Sequence, residues 1–256
     1  MENFVSELEE MPIVFYSSTY KQKIYGYNDY ILNWVAHHEK RWEETLCELI
    51  VDNIEDGTDF IDIGANIGLI TLGVNQISLE KGKNINSIHC FECDQNTFKI
   101  LMNNTETLQN KDSIKLYPFA LSDKFQLCLM SGNSYNRGCN FIYNTIDCNS
   151  SSNYNYPFIP KTNHFEKRIF VPSFCLDELQ YQFQKVGALK IDVEGFEYFV
   201  LLGARNIIMT HKPIILIEIW DVNKDKIVEL MKNDFNYTVE FIQDQNYICR
   251  PIPTTA

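Results

Sequence analysis

The clearest chemical pattern lies in Asp59-Phe-Ile-Asp-Ile-Gly-Ala-Asn-Ile-Gly68, an apolar run that enters a glycine-containing turn and leaves as a helix. Gly64 lets the backbone bend and lets a ligand approach with no Cβ in the way. Asn66 tolerates an unusual backbone conformation or caps the following helix. The first turn of that helix presents N–H groups without intrahelical partners to a polar ligand. A dinucleotide fingerprint would need glycine at Asn66 and Leu69, and a P-loop would need Lys-Ser or Lys-Thr after the turn; the sequence has neither. What remains is D-x-G-x-N-x-G with a second acid, Glu92, 30 residues beyond Asp62 at the end of the next apolar run. A carboxylate there accepts two hydrogen bonds from a ribose 2′,3′-diol, the logic of the ribose-binding acid in dinucleotide folds. The loop backbone meanwhile holds an amino-acid moiety, and a nucleoside carrying an amino acid in place of a pyrophosphate is S-adenosylmethionine.

The elements that position these residues read as α/β. Apolar runs Phe60 to Ile63, Ser87 to Phe91, Ile114 to Phe119, Ala188 to Val193 and Ile214 to Trp220 predict strands. They alternate with helical patterns over Asn66 to Gln76, Gln95 to Glu106, Phe196 to Met209 and Lys224 to Lys232. Near-continuous apolar strands separated by helices imply a parallel sheet covered on both faces. Thr238 to Gln243 and Tyr247 to Ile252 read as a hairpin around Asp244-Gln245-Asn246, an antiparallel edge on that sheet. Residues 1–56 form a lead-in in which Tyr30 to Ile54 has helical apolar spacing, so one or two helices precede the sheet. Residues 131–168, rich in Asn, Ser and Tyr, are too long and polar for an ordinary connection; a solvated insertion and a substrate lid are both open.

With 256 residues, 45% hydrophobic and 22% charged, one globular domain over 1–256 is expected. Lys plus Arg is 22 against 34 Asp plus Glu, a net charge of −12, which repels phosphate backbones and argues against a general nucleic-acid binder. No stretch approaches the ~18 to 20 apolar residues of a membrane span. The start, MENFVSELEEMP, is acidic where a secretory signal would be basic and then apolar. A soluble, cytoplasmic protein is expected. Cys90 and Cys93 form C-x-x-C, but Cys90 lies inside a strand-like run and no second pair follows, so reduced core thiols are favoured over a redox or zinc site.

Taken together, FIDIGANIGLITL at 60–72, HCFECDQNTFKILMNN at 89–104, FALSD at 119–123, LDEL at 176–179, ALKIDVEGFEYFVLLGA at 188–204 and KPIILIEIW at 212–220 resemble the FkbM-type methyltransferases in order and spacing. The lead-in with Trp42-Glu43 is similar more weakly, and Cys93 departs from the proline usual after the strand-two acid. The resemblance implies a class I methyltransferase (Rossmann-like) fold, a three-layer sandwich with a seven-stranded, mostly parallel sheet. It implies S-adenosylmethionine as cofactor and O-methylation of sugars or other metabolites. On that footing Asp62 orients the loop, Gly64, Ala65 and Asn66 line the methionine end, and Gly68 permits close helix packing. Glu92 holds the ribose, Ala120, Leu121, Ser122 and Asp123 border the adenine, and Glu43 faces the cofactor's amino group.

An alcohol is a poor nucleophile at neutral pH, so O-methylation benefits from a base. The fourth strand ends in Lys190-Ile-Asp192-Val-Glu194-Gly195, and strand alternation points Asp192 and Glu194 the same way unless the backbone has already turned. Their repulsion raises one carboxyl into the range of a base, or the two bind a cation. Glu218 is a third carboxylate in an apolar run, costly there unless paired or used, with Lys190 the obvious partner. Asp192 is the expected base or its organiser; the bland alternative has all three acids only pairing and shaping the site. A divalent metal on Asp192, Glu194 and Glu218 is not favoured, because no histidine stands at ligand spacing beside them. The expected acceptor is a sugar hydroxyl, in a nucleotide sugar, glycan or glycolipid precursor. A non-sugar metabolite and a catalytically inactive binding subunit are the rivals, and the missing glycines disfavour a nicotinamide enzyme. The oligomeric state is left open, a homodimer included.

Overall fold

The computed structural model describes residues 12–38, 40–133, 136–144 and 167–253. A hairpin of β1 (Ile13–Ser17) and β2 (Gln22–Gly26) leads into helices α1 (Tyr30–His37) and α2 (Glu44–Asn53). Strands β3 (Thr58–Ile63), β4 (Ile85–Phe91) and β5 (Ile114–Tyr117) then alternate with helices α3 (Leu69–Lys81) and α4 (Gln95–Glu106). Next come β6 (Ala120–Leu121), β7 (Gln126–Asn133), β8 (Asn136–Asn144) and β9 (Lys167–Phe174). The chain returns through β10 (Val186–Ile191), α5 (Glu197–Gly203), α6 (Arg205–His211), β11 (Ile214–Glu218) and α7 (Asp221–Glu229), and ends in a hairpin of β12 (Tyr237–Gln243) and β13 (Asn246–Pro251).

The central sheet has seven strands in the order β12-β13-β11-β10-β3-β4-β5. Strands β11, β10, β3, β4 and β5 run parallel, and β13 joins β11 antiparallel. All six residues of β3 are buried, as a central strand covered on both faces requires. Alternation sorts its side chains: Ile61 and Ile63 pack with Val200, Ile207 and Ile227 of α5, α6 and α7. Phe60 faces the opposite layer, with Ile50, Val74 and Leu101 of α2, α3 and α4. The result is the three-layer, class I methyltransferase-like architecture expected. Ile63 pairs with Ile191 on one side and Phe91 on the other, so β3, β10 and β4 end level and present their carboxyl ends together.

Several boundaries differ from the sequence reading. The helix expected from Asn66 begins at Leu69, because Asn66 (φ 51) and Gly68 (φ 90) take left-handed conformations. Pro118 follows Tyr117, where β5 ends rather than at Phe119. The helix expected over Phe196 to Met209 is two short helices broken at Ala204 (φ −108, ψ 9). Strand β10 ends at Ile191, so alternation does not extend to Asp192 and Glu194; Glu194 already sits in a turn at φ 55. The β1–β2 hairpin was not legible, because its short strands leave Ile13, Val14 and Tyr16 exposed and lack a buried alternating face. The 131–168 segment is not wholly loop. Strands β7 and β8 pair antiparallel, β7 pairs with β9, and with β6 they make a second, four-stranded sheet; residues 134–135 and 145–166 lie outside the described residues.

Gly64 (φ 76) is where the two halves of the sheet meet most closely. A Cβ built there would stand 1.8 Å from the Asp192 carbonyl oxygen and 2.9 Å from its carbon. Gly64→Ala therefore forces apart the ends of β3 and β10. It is expected to destabilise by at least about 3 kcal/mol, combining overpacking with left-handed strain, read as a lower midpoint in urea denaturation; an unchanged midpoint contradicts the close approach.

Candidate active site

The turn after β3 is held from three sides. Asp62, fully buried, accepts a hydrogen bond from Thr71 Oγ1 at 2.7 Å, tying the strand end to α3. The Gly64 and Ala65 N–H groups donate to the Phe91 carbonyl at 3.0 and 2.9 Å. Asn104 of α4, also fully buried, donates to the Ile67 carbonyl at 2.7 Å and accepts from Tyr25 N–H at 2.8 Å, clamping the turn to the β1–β2 hairpin. Gly68 permits this packing, since a Cβ there would stand 2.7 Å from Leu101. Asn66 supplies the left-handed turn but does not cap α3; Gly68 occupies that position.

Glu92 follows β4. Its Oε2 accepts from Asn66 N–H at 3.0 Å and its Oε1 from Asp94 N–H at 2.7 Å. Asp94 in turn caps α4 through Asn96 and Thr97 N–H. One carboxylate thus ties the glycine turn to the next helix, and each oxygen keeps a lone pair for a further donor. Burial pushes the Glu92 carboxyl up to about 7 even though these N–H groups stabilise its charge.

The carboxylates converge at the ends of β10 and β11. Lys190, buried in β10, lies 3.2 Å from Asp192 Oδ2 and 3.6 Å from Asp62 Oδ1, and donates to the Gly64 carbonyl at 2.9 Å. Burial alone would lower its pKa, but Asp192, Asp62 and Glu43 together hold it above the usual lysine range. Glu218 accepts from Trp220 Nε1 at 2.8 Å. Burial first, then the charge of Asp192, raises Glu218 to about 8. Asp192 and Glu218 therefore repel each other across the ends of β10 and β11. Glu43 sits at φ 47 before α2, and burial followed by the charge of Asp192 raises it to about 7.

These groups surround one cavity of about 270 Å³. Glu43, Gly64, Ala65, Asn66 and Glu92 line it together with Asp192, Glu194 and Glu218. Phe91, Cys93, Phe119, Ala120, Leu121 and Ile142 form an apolar wall. Tyr30, Ile31 and Trp42 reach it from the lead-in, where Trp42 N–H donates to Tyr20 Oη at 2.9 Å. Asp62 and Gly68 act from behind the lining. Ser122 and Asp123 do not reach the cavity: Ser122 is buried, its N–H donates to the Phe174 carbonyl, and its side chain bonds Asp123. Among the described residues no cluster of three His, Cys, Asp or Glu has a metal-binding arrangement, and no helix is long and apolar enough to cross a membrane. The described cysteines are free; Cys90 lies against Thr71 and Cys93 against Met130, so the C-x-x-C thiols face different neighbours.

One positioning residue escaped the sequence reading. Glu197, fully buried at the start of α5, accepts from Gly195 N–H at 2.9 Å and Val193 N–H at 3.3 Å, fixing the turn that carries Asp192 and Glu194. Burial raises it to about 7. The available signal was the second acid of Glu194-Gly-Phe-Glu197, which a turn between strand and helix needs as an acceptor.

Residues 62–249 match the family model described as Methyltransferase FkbM domain. No curated protein matches the chain. Among solved structures, methyltransferase FkbM from Methylobacillus flagellatus KT is similar with a TM-score of 0.50 at 17% identity, covering 76% of this chain and 44% of that one. The chain thus spans less than half the length of that protein. Precorrin-6y C5,15-methyltransferase from Geobacter metallireducens GS-15 is similar at a TM-score of 0.45 and 11% identity, covering 80% of this chain and 85% of that one. At 17% identity the likeness to the Methylobacillus protein is one of fold.

Glu43, Glu92, Glu197 and Glu218 all have carboxyls raised from 4.5 to about 7 or 8. A group whose folded pKa is raised contributes stability below its unfolded pKa and loses it as pH rises through the folded value. The ligand-free protein should therefore melt highest near pH 4.5 to 5 and lose stability steadily up to about pH 8. Scanning calorimetry across this window checks it; a midpoint that rises with pH would show these carboxyls ionised without cost.

Proposed function

The chain belongs to the FkbM methyltransferase family, and from that premise we propose that it is an S-adenosylmethionine-dependent O-methyltransferase acting on a sugar hydroxyl. The observation that carries this reading is Glu92, anchored by Asn66 and Asp94 N–H in one cavity with the Asp192–Glu218 pair. The residues fit the cofactor: a carboxylate with spare lone pairs for a diol, an apolar wall for a flat base, and an acidic end for a cation. Glu92 would hold the ribose, and Phe91, Phe119, Ala120 and Leu121 the adenine. The turn at Gly64, Ala65 and Asn66 would hold the methionine end with Glu43 near its ammonium. When bound, this cofactor supplies an electrophilic methyl group on a sulfonium that is already a good leaving group.

The protein's remaining tasks are alignment and proton removal. Asp192 is held by Lys190 on one side and Glu218 on the other, so its free lone pairs keep a fixed direction. We assign it the role of accepting the acceptor hydroxyl's proton, with Glu218 sharing that proton. Glu194 stands on the same wall as a hydrogen-bond acceptor for the substrate. Tyr30 and Trp42, in edge contact at 6.2 Å, offer aromatic surface beside these acids. Aromatic faces with carboxylate acceptors suit a polyol better than an apolar metabolite.

Calorimetric titration of S-adenosylhomocysteine should saturate with wild type and weaken by about 1.5 to 3 kcal/mol in Glu92→Ala, the loss of a charged acceptor. Asp192→Asn should keep that affinity and lose about 100-fold or more of methyl transfer to sugar acceptors. Absence of binding by folded wild type would remove the enzyme reading and leave the scaffold alternative.

A further inference from the structure

Asp192 and Glu218 line the same cavity, and burial together with the charge of Asp192 raises the Glu218 carboxyl to about 8, so the pair keeps a proton near neutral pH. The pair is held rigidly, Asp192 by Lys190 at 3.2 Å and Glu218 by Trp220 at 2.8 Å. Its surroundings are acidic from every packed element: Asp62 at the end of β3, Glu92 after β4, Glu43 before α2, and Glu194 in the turn after β10. Glu197 of α5 also acts on Glu218, and Asp244 in the terminal hairpin acts on Glu43. Among the described lining residues Lys190 is the one cation, and Asp62 and Asp192 already engage it. The cavity is therefore short of positive charge.

We infer that the Asp192–Glu218 pair is armed by the charge of the methyl donor: it gives up its shared proton when a sulfonium enters the cavity and takes one back when transfer leaves a neutral thioether. This rests on reading the cavity as a methyl-donor site. A sphere of about 270 Å³ is about 8 Å across, and a unit charge at that distance and an effective dielectric of about 20 changes a carboxyl's proton affinity about thirtyfold. The balance closes. The carbon–sulfur bond breaks with its electron pair remaining on sulfur, the oxygen–carbon bond forms, and the hydroxyl proton passes to the pair. A free base is thus created only while the donor is charged, and the spent cofactor leaves a re-protonated pair behind. The raised carboxyl of Glu218, near 8, places the stored proton in the resting protein at neutral pH and removes it well above that.

The test counts protons rather than turnover. S-adenosylmethionine and S-adenosylhomocysteine are each titrated into wild type at pH 7 in phosphate and in Tris, whose ionisation enthalpies differ. The charged donor should release about half a proton or more beyond the thioether, and the excess should vanish at pH 9.5. Glu218→Gln should abolish the excess. Trp220→Phe keeps the carboxyl but removes a hydrogen bond that lowers its pKa, so the excess should persist to higher pH; this variant serves if the first does not fold. Equal proton release by both ligands overturns the inference and leaves the methyltransferase reading standing, whereas failure of both to bind removes that reading and the inference with it.

Discussion

Lys190 is an ammonium buried in the middle of a parallel sheet, and much of the site follows from what is needed to keep it there. Its ammonium donates to the Gly64 carbonyl in the turn and forms ion pairs with Asp192 beyond its own strand and, at a longer distance, with Asp62 from β3. A buried charge without such partners would cost several kcal/mol. Satisfying it fixes the ends of two adjacent strands relative to each other and aims Asp192 in one direction. The missing Cβ at Gly64 is part of the same arrangement, since only an absent side chain lets the turn pass beneath the Asp192 carbonyl.

Around this cation the protein gathers more carboxyls than it can neutralise. Glu43, Glu92, Glu197 and Glu218 are each buried enough to prefer their protons near neutrality. The arrangement sacrifices stability in the resting state. Two of these acids do structural work through backbone N–H groups, Glu92 on the glycine turn and Glu197 on the turn after β10. Their position in strand-to-helix turns, where amides lack ladder partners, explains why carboxylates are tolerated there.

The parts of the fold legible in the sequence were those with continuous apolar strands. β3, β10 and β11 are buried along nearly their whole length and β4 over its last four residues, and their runs of Ile, Phe and Leu need no tertiary context. The glycine turn and Glu92 were legible because both lie at strand ends in a fixed order. Contacts between distant segments were not. Asp192 meets Glu218 across the β10–β11 gap, and Asn104 joins the lead-in to the turn at Ile67, neither marked by spacing. Alternation misled at Glu194 because β10 stops at Ile191, and Ser122 and Asp123 were expected in the cavity although the chain there turns toward Phe174. The second sheet was hidden because β7 and β9 bury only one face, leaving Leu127 and Phe170 exposed.

That second sheet divides the cavity's ancestry. One side comes from the central sheet, through Glu92 and its two backbone donors. The opposite wall takes Ala120 and Leu121 from β6 and Ile142 from β8, strands hydrogen-bonded within the smaller sheet. A change at Ile142 reshapes the wall while leaving every hydrogen bond of Glu92 in place. The two sides of the chamber thus hang on separate hydrogen-bond networks, so the shape of one can change while the anchoring of the other stays as it is.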